Sequence, residues 1–120
     1  MYDKRKDFKE MALEFALDIS NICDGIKGCH SYVDQIVRSS ASIGANLSEA
    51  RYAQSRADFI NKLEIALKEC YETEYWLELL FRKGKITEVQ FAELNKTRGK
   101  LQKKLISSIT TAKKRITDTN

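Results

Sequence analysis

No proline occurs in the chain, and glycine occurs only five times in 120 residues. Proline breaks a helix from within and glycine weakens it, so the shortage of both leaves room for long, uninterrupted helices. Histidine is nearly absent, with His30 the single example. The Glu-x-x-His pairs of a di-iron bundle are therefore missing. Cys29 beside His30 supplies two ligands where a closed zinc site takes four, so the pair reads as a small thiol and an imidazole in a loop. Three cysteines, Cys23, Cys29 and Cys70, make an odd count without paired spacing. That pattern argues against a disulfide framework and for a reducing, cytoplasmic setting. No apolar run approaches the roughly 18 residues of a membrane span, which excludes a membrane helix. The N-terminal Met1-Tyr2-Asp3-Lys4-Arg5-Lys6-Asp7 is too charged for a signal peptide. A glycine-rich phosphate loop and a nucleophile-plus-base constellation are both missing. The chain reads as a non-enzyme that calls for no cofactor and no metal.

What is present is helical periodicity. Hydrophobic residues make up 42% of the chain and charged residues 32%, an ordinary balance for one globular domain spanning residues 1–120. Phe8, Ala12, Phe15, Ile19 and Ile22 recur at helical spacing over about Lys6 to Asp24, and Gly25 and Gly28 end that helix. Ser31 with Asp34 resembles a capping box, which starts a second helix running to about Ala53. Ser55 with Asp58 starts a third, from about Arg56 to Arg82, with Phe59, Leu63, Ala66, Cys70, Thr73, Leu77 and Leu80 at alternating steps of a bundle seam. Tyr71, Tyr75, Trp76 and Phe81 add aromatic bulk beside that seam. Gly84 suits the left-handed position after a helix. Thr87 with Gln90 is a capping box for a fourth helix reaching about Ile116, with Phe91, Leu94, Leu101, Leu105, Ile109, Ala112 and Ile116 inward and a fraying tail from Thr117 to Asn120. Four amphipathic helices with short connections predict an all-α, antiparallel up-down-up-down four-helix bundle.

The second helix has an unusual wheel. Val33, Ile36, Ile43, Leu47 and Ala50 form a large apolar stripe, and Val37, Ala41, Gly44, Ala45 and Ser48 form a face of small residues. The third face carries Gln35, Arg38, Ser42, Asn46 and Glu49. Between Gln35 and Arg51 the only charges are Arg38, Glu49 and Arg51. A surface helix normally carries more, so this one is expected to be covered on most sides, within the bundle or at a subunit contact. Buried charges need partners. Glu64 or Glu72 on the third helix is expected to pair with Arg38, with Asn46 bridging, in a network that fixes helix or subunit register. A competing reading turns the stripe toward a central oligomer channel, where it contacts a ligand.

Charge is segregated along the chain. From Lys96 to Arg115 there are eight basic residues and no acidic one, leaving 13 basic and 17 acidic residues elsewhere. Lys96, Lys100, Lys103, Lys104 and Lys114 share about a third of the wheel, with Lys113 and Arg115 beside them. Lys4, Arg5 and Lys6 adjoin this patch if the first and fourth helices are neighbours. Such a stripe is a footprint for phosphate backbones, and without interleaved aromatics it predicts contact with the backbone and not with stacked bases. The alternative is a solvated lysine face that aids solubility.

One run is also familiar. Gln35-Ile-Val-Arg38-Ser-Ser-Ala-Ser42-Ile-Gly-Ala-Asn46-Leu-Ser-Glu49-Ala-Arg51 resembles the signature helix of the bacterial 23S rRNA intervening sequence proteins, also called S23 ribosomal proteins. Phe59 to Leu80 is similar to that family's third helix, and the resemblance covers nearly the whole chain. It implies a four-helix bundle associated with insertions in 23S rRNA genes. Relatives that serve diversity-generating retroelements are basic homopentamers that bind nucleic acid and a reverse transcriptase. The implied partners are therefore further copies of the chain, with a pentamer favoured, RNA or DNA, and another protein. Ala50 stands where the family commonly has glycine, and Lys68-Glu69 stands where many members have Gly-Ser, which suggests a subgroup.

Overall fold

A computed structural model describes residues 4–119, with side chains from 8 to 115. Four helices follow one another: α1 (Lys4–Cys23), α2 (His30–Ala50), α3 (Arg56–Arg82) and α4 (Glu88–Thr119). Each packs against its neighbours in sequence, and α1 also meets α4, which closes the ring of an antiparallel bundle. The hairpin loops α1–α2 and α3–α4 lie at one end, tied by the Lys85 ammonium donating to the Lys27 carbonyl at 2.9 Å. The α2–α3 turn lies at the other.

The seams match the periodicity that predicts them. Ala12, Phe15 and Ile19 of α1, Ile36, Ile43 and Leu47 of α2, and Leu94, Leu101, Leu105, Ile109 and Ala112 of α4 are buried. On α3, Leu63, Ala66, Cys70, Thr73, Leu77 and Leu80 are buried as expected, while Phe59 is only half-buried. The α3 aromatics close the flanks of the core. Trp76 stacks on Tyr32 at 6.0 Å between centroids, and Phe81 stacks on Phe91 at 4.5 Å. Lys4, Arg5, Lys6 and Ile116 have side chains outside the described residues, so their expected positions lie outside them too.

Two of the three expected caps form. Gln90 N–H donates to Thr87 Oγ1 at 3.0 Å while Thr87 N–H donates to Gln90 Oε1 at 2.9 Å, a reciprocal box that opens α4. Asp58 N–H donates to Ser55 Oγ at 3.0 Å at the start of α3. The Ser31–Asp34 box does not form. Instead the capping position falls two residues earlier, at Cys29 with φ 53, and no side chain caps the helix. Gly28 at φ 77 and Cys29 turn left-handed in succession, which brings the Cys29 carbonyl to the Val33 amide at 2.9 Å and starts the helix before Ser31 can cap it. Gly84, at φ 75, follows α3 as expected. Regular α-helix in α2 stops at Ala50, and the expected extension to Ala53 is a tighter turn in which Arg51, Tyr52 and Ala53 amides bond three residues back. At the far end α4 stays helical through Thr119, past the expected end near Ile116 and through most of the tail expected to fray.

Candidate nucleic-acid interface and polar networks

The basic face of α4 takes the form its spacing predicts. Leu101, Leu105 and Ala112 anchor one side of the helix in the core, which turns Lys96, Lys100, Lys103, Lys104, Lys113, Lys114 and Arg115 outward, all exposed. Two of them have identified neighbours. Lys104 Nζ sits 5.9 Å from the centre of the Phe8 ring on α1, and Lys113 Nζ lies 3.7 Å from Glu64 on α3. Neither contact is buried, so both side chains keep their charge accessible to solvent.

Arg98 is not part of this face. It is one of the eight basic residues of the stretch, but its side chain turns inward and is buried. The guanidinium donates to Glu74 at 2.8 Å, Asn95 at 2.9 Å and Gln102 at 2.7 Å. Its Nη1 is also 3.9 Å from Cys70 Sγ, and the Cys70 thiol lies 3.5 Å from the Arg98 carbonyl. Burial pushes the Cys70 thiol above its ordinary value, and Arg98 pulls partly against that rise. Burial likewise raises Cys23, with help from Asp24, to about 11. A guanidinium buried in an ionic network is therefore found between α3 and α4 and not on α2, and the spacing of Arg98 to Leu94, Leu101 and Leu105 already sets it on the inward side of the wheel, opposite the lysine face.

The α2 stripe is organised differently from the expectation. Arg38 does meet Glu72, as predicted, and also donates to Glu69 at 2.9 Å. Gln35 accepts from Arg38 Nε at 3.3 Å. The bond to Glu72 is the main effect holding the Arg38 guanidinium above its usual value; burial, next in size, opposes it, and the charges of Glu69 and Glu72 and the bond to Glu69 add to the rise. Yet Arg38 is exposed, so the network lies on the surface. Glu64 is not part of it and faces Lys113. Asn46 bridges nothing between helices: its amide donates to Ser42 within α2, to the carbonyl at 2.9 Å and to the hydroxyl at 3.1 Å. Glu49 is exposed and makes no ion pair among the described residues. The three carboxylates Glu49, Glu64 and Glu72 do not converge, and no cluster of three metal-ligating side chains occurs among the described residues.

The expectation of a covered α2 holds for part of its surface. Gly44 lies against α1, where an added Cβ would stand 3.5 Å from the Ala12 Cβ. Ala41 and Ala45, on the same small-residue face, stay exposed, as do Asp34, Arg38 and Glu49. Three polar residues of this helix are buried: Asn46 of the polar stripe, and Ser39 and Ser40, which belong to none of the three faces read from the wheel. Ser39 Oγ meets Thr73 Oγ1 of α3 at 2.9 Å. The signal for a polar seam there is spacing: Ser39 and Ser40 stand three and four residues after Ile36 and four and three before Ile43, on the side of the apolar stripe.

With this geometry in view, residues 4–107 match the family model described as 23S rRNA-intervening sequence protein. The chain belongs to that family. A solved member, a protein of unknown function from the S23 ribosomal protein family of Bacteroides thetaiotaomicron, is 49% identical to this chain with a TM-score of 0.83. The match covers 90% of this chain and 99% of that one. No curated protein matches the chain. The 23S rRNA-intervening sequence family thus supplies a bundle with no assigned chemistry. No described helix is long and apolar enough to cross a membrane.

Proposed function

We propose that this protein is a non-catalytic, homo-oligomeric accessory protein that binds RNA or DNA backbones through the outer face of α4. The observation that supports the reading best is the outward lysine face itself. Lys96, Lys100, Lys103, Lys104 and Lys114 are exposed on one helix, and no carboxylate lies between residues 96 and 115. A helix that needed charge only for solubility would gain as much from mixed signs. Family membership supports an association with 23S rRNA insertions. Assembly is supported by the uncovered Ala41 and Ala45 of α2 and by Leu13 and Leu17 of α1, exposed beside the Ala12–Gly44 crossing. Repetition of the lysine face around an oligomer multiplies phosphate contacts. A pentamer is the state the family resemblance favours.

The test is a salt titration of binding to duplex DNA and to structured RNA. Wild type should bind, losing about 0.9 log units of affinity per phosphate contact per log of salt on duplex DNA. Lys100→Gln/Lys103→Gln/Lys104→Gln should fold and assemble normally, bind much more weakly and show a shallower slope, with sequence preference unchanged. Equal binding by the triple variant, or none by wild type at low salt, transfers the role to protein–protein scaffolding. Light scattering should give a multiple of the 13.8 kDa chain mass. A monomer at micromolar concentration overturns the assembly.

A further inference from the structure

The end of the bundle that carries the α2–α3 turn holds a cleft of about 700 Å³, open to solvent and walled by all four helices. That volume lies within the range of small-molecule sites, roughly 300–1,000 Å³. Its lining is one-sided in charge. Lys9, Arg51, Arg56 and Arg115 contribute four cations, and no carboxylate lines it among the described residues. Asp58, beside the lining Phe59, accepts instead from the Gln54 amide at 3.3 Å. Two of the arginines here, Arg51 and Arg56, also differ from those elsewhere. Arg38, Arg82 and Arg98 are each held by a glutamate. Arg51 and Arg56 have neither an ion pair nor a side-chain hydrogen bond among the described residues, and both line the cleft.

The rest of the lining is suited to more than a bare anion. Phe8, Phe59 and Leu63 supply an apolar floor, and Ser107, Ser108 and Thr111 of α4 supply a hydroxyl wall. The first amides of α3, at Arg56 and Ala57, precede the first helical bond, which Phe59 makes to Ser55. They leave donors at the same rim. Two unpaired guanidiniums offer the forked donors that match a phosphate. The phenyl rings and leucine offer a surface to an attached apolar body.

We propose that this cleft binds a small phosphomonoester, with its phosphate held by Arg51 and Arg56 and its apolar body laid over Phe8, Phe59 and Leu63. The proposal does not rest on the lysine face of α4, since Lys100, Lys103 and Lys104 take no part in the lining. Adenosine monophosphate and octyl phosphate represent the two sources of such a ligand, a nucleotide and a lipid-like amphiphile.

Calorimetric titration of the full chain at low ionic strength with these two esters and with inorganic phosphate tests it. At least one ester should bind about tenfold or more tighter than inorganic phosphate, because only the ester buries apolar surface. A preference for adenosine monophosphate marks a nucleotide pocket, and a preference for octyl phosphate marks an amphiphile pocket. Arg51→Gln/Arg56→Gln should weaken ester binding by at least about tenfold through loss of charged hydrogen bonds. Ser107→Trp, which fills the cleft from an exposed position, should weaken it with helicity unchanged by circular dichroism. The triple lysine variant should keep ester binding, so that this proposal and the backbone-binding reading fail separately. The proposal is overturned if neither ester binds, if inorganic phosphate binds as tightly as both, or if the double arginine variant binds like wild type.

Discussion

Arg38 and Arg98 both reach glutamates of α3, one from α2 and the other from α4, yet their surroundings differ sharply. Arg38 holds two carboxylates, Glu69 and Glu72, with half of its own side chain, 50%, in solvent. Arg98 holds one, Glu74, with 6% of its side chain exposed, and completes its shell with Asn95 and Gln102. By count of ion pairs Arg38 is the stronger site. By physics it is the weaker, because exposed pairs are screened and pay side-chain entropy, while a buried guanidinium stripped of its carboxylate has no water to replace it. The difference teaches that a charge pair's place in the fold, and not its number of partners, decides what it stabilises.

The largest effect expected from breaking this comparison is at Glu74. Glu74→Ala leaves Arg98 buried with only neutral partners and should cost about 2–3 kcal/mol, below the usual figure for a buried pair because Glu74 is itself half in solvent. Urea denaturation at fixed protein concentration measures it. A loss no larger than that of an ordinary surface substitution would show that water reaches Arg98. Next comes the thiol beside it. Alkylation of Cys70 by iodoacetamide should be slow in wild type, since burial keeps the thiol protonated. It should accelerate about tenfold in Glu74→Ala if the α3–α4 contact opens more often, and remain slow in Arg38→Ala. Equal rates in all three proteins would separate Cys70 from the Arg98 network. The smallest effect belongs to Arg38→Ala itself, at under about 1 kcal/mol for an exposed cluster. A melting temperature lowered by ten degrees would mean that Arg38 is covered in the assembled protein, where the free chain leaves it open.

The architecture was legible because it is written in spacing. The 4-and-3 steps from Leu63 to Leu80 and the Thr87–Gln90 box are local signals, and the helices honour both. The lysine face of α4 was legible for the same reason, since the wheel opposite Leu101 and Leu105 has nowhere to point but outward. The polar interior was not. Spacing sets Arg98 on the side of Leu94, Leu101 and Leu105 and Lys100 opposite, but a charge among apolar positions is drawn in only because Glu74, Asn95 and Gln102 are there to receive it. The pairing of Arg38 with Glu72, one of two candidates, is legible, but its place on the surface is not, because a helix face poor in charge looks covered even where exposed alanines such as Ala41 and Ala45 fill it. The start of α2 was missed at Cys29, whose positive φ is a conformation that most side chains avoid and that no spacing rule anticipates.

The segregation of charge has a consequence for motion in solution. Outside residues 96–115 the chain carries 13 basic and 17 acidic residues, while that one stretch carries eight basic and none acidic. The molecule is therefore an electric dipole with its positive pole on α4, and a net charge of +4 describes it poorly. Near a strongly anionic polymer such a body experiences torque before it experiences contact, so it rotates as it approaches. Where such a polymer is the partner proposed above, encounters are made with α4 leading more often than random tumbling would allow, and their rate depends on ionic strength even where the final contact area does not.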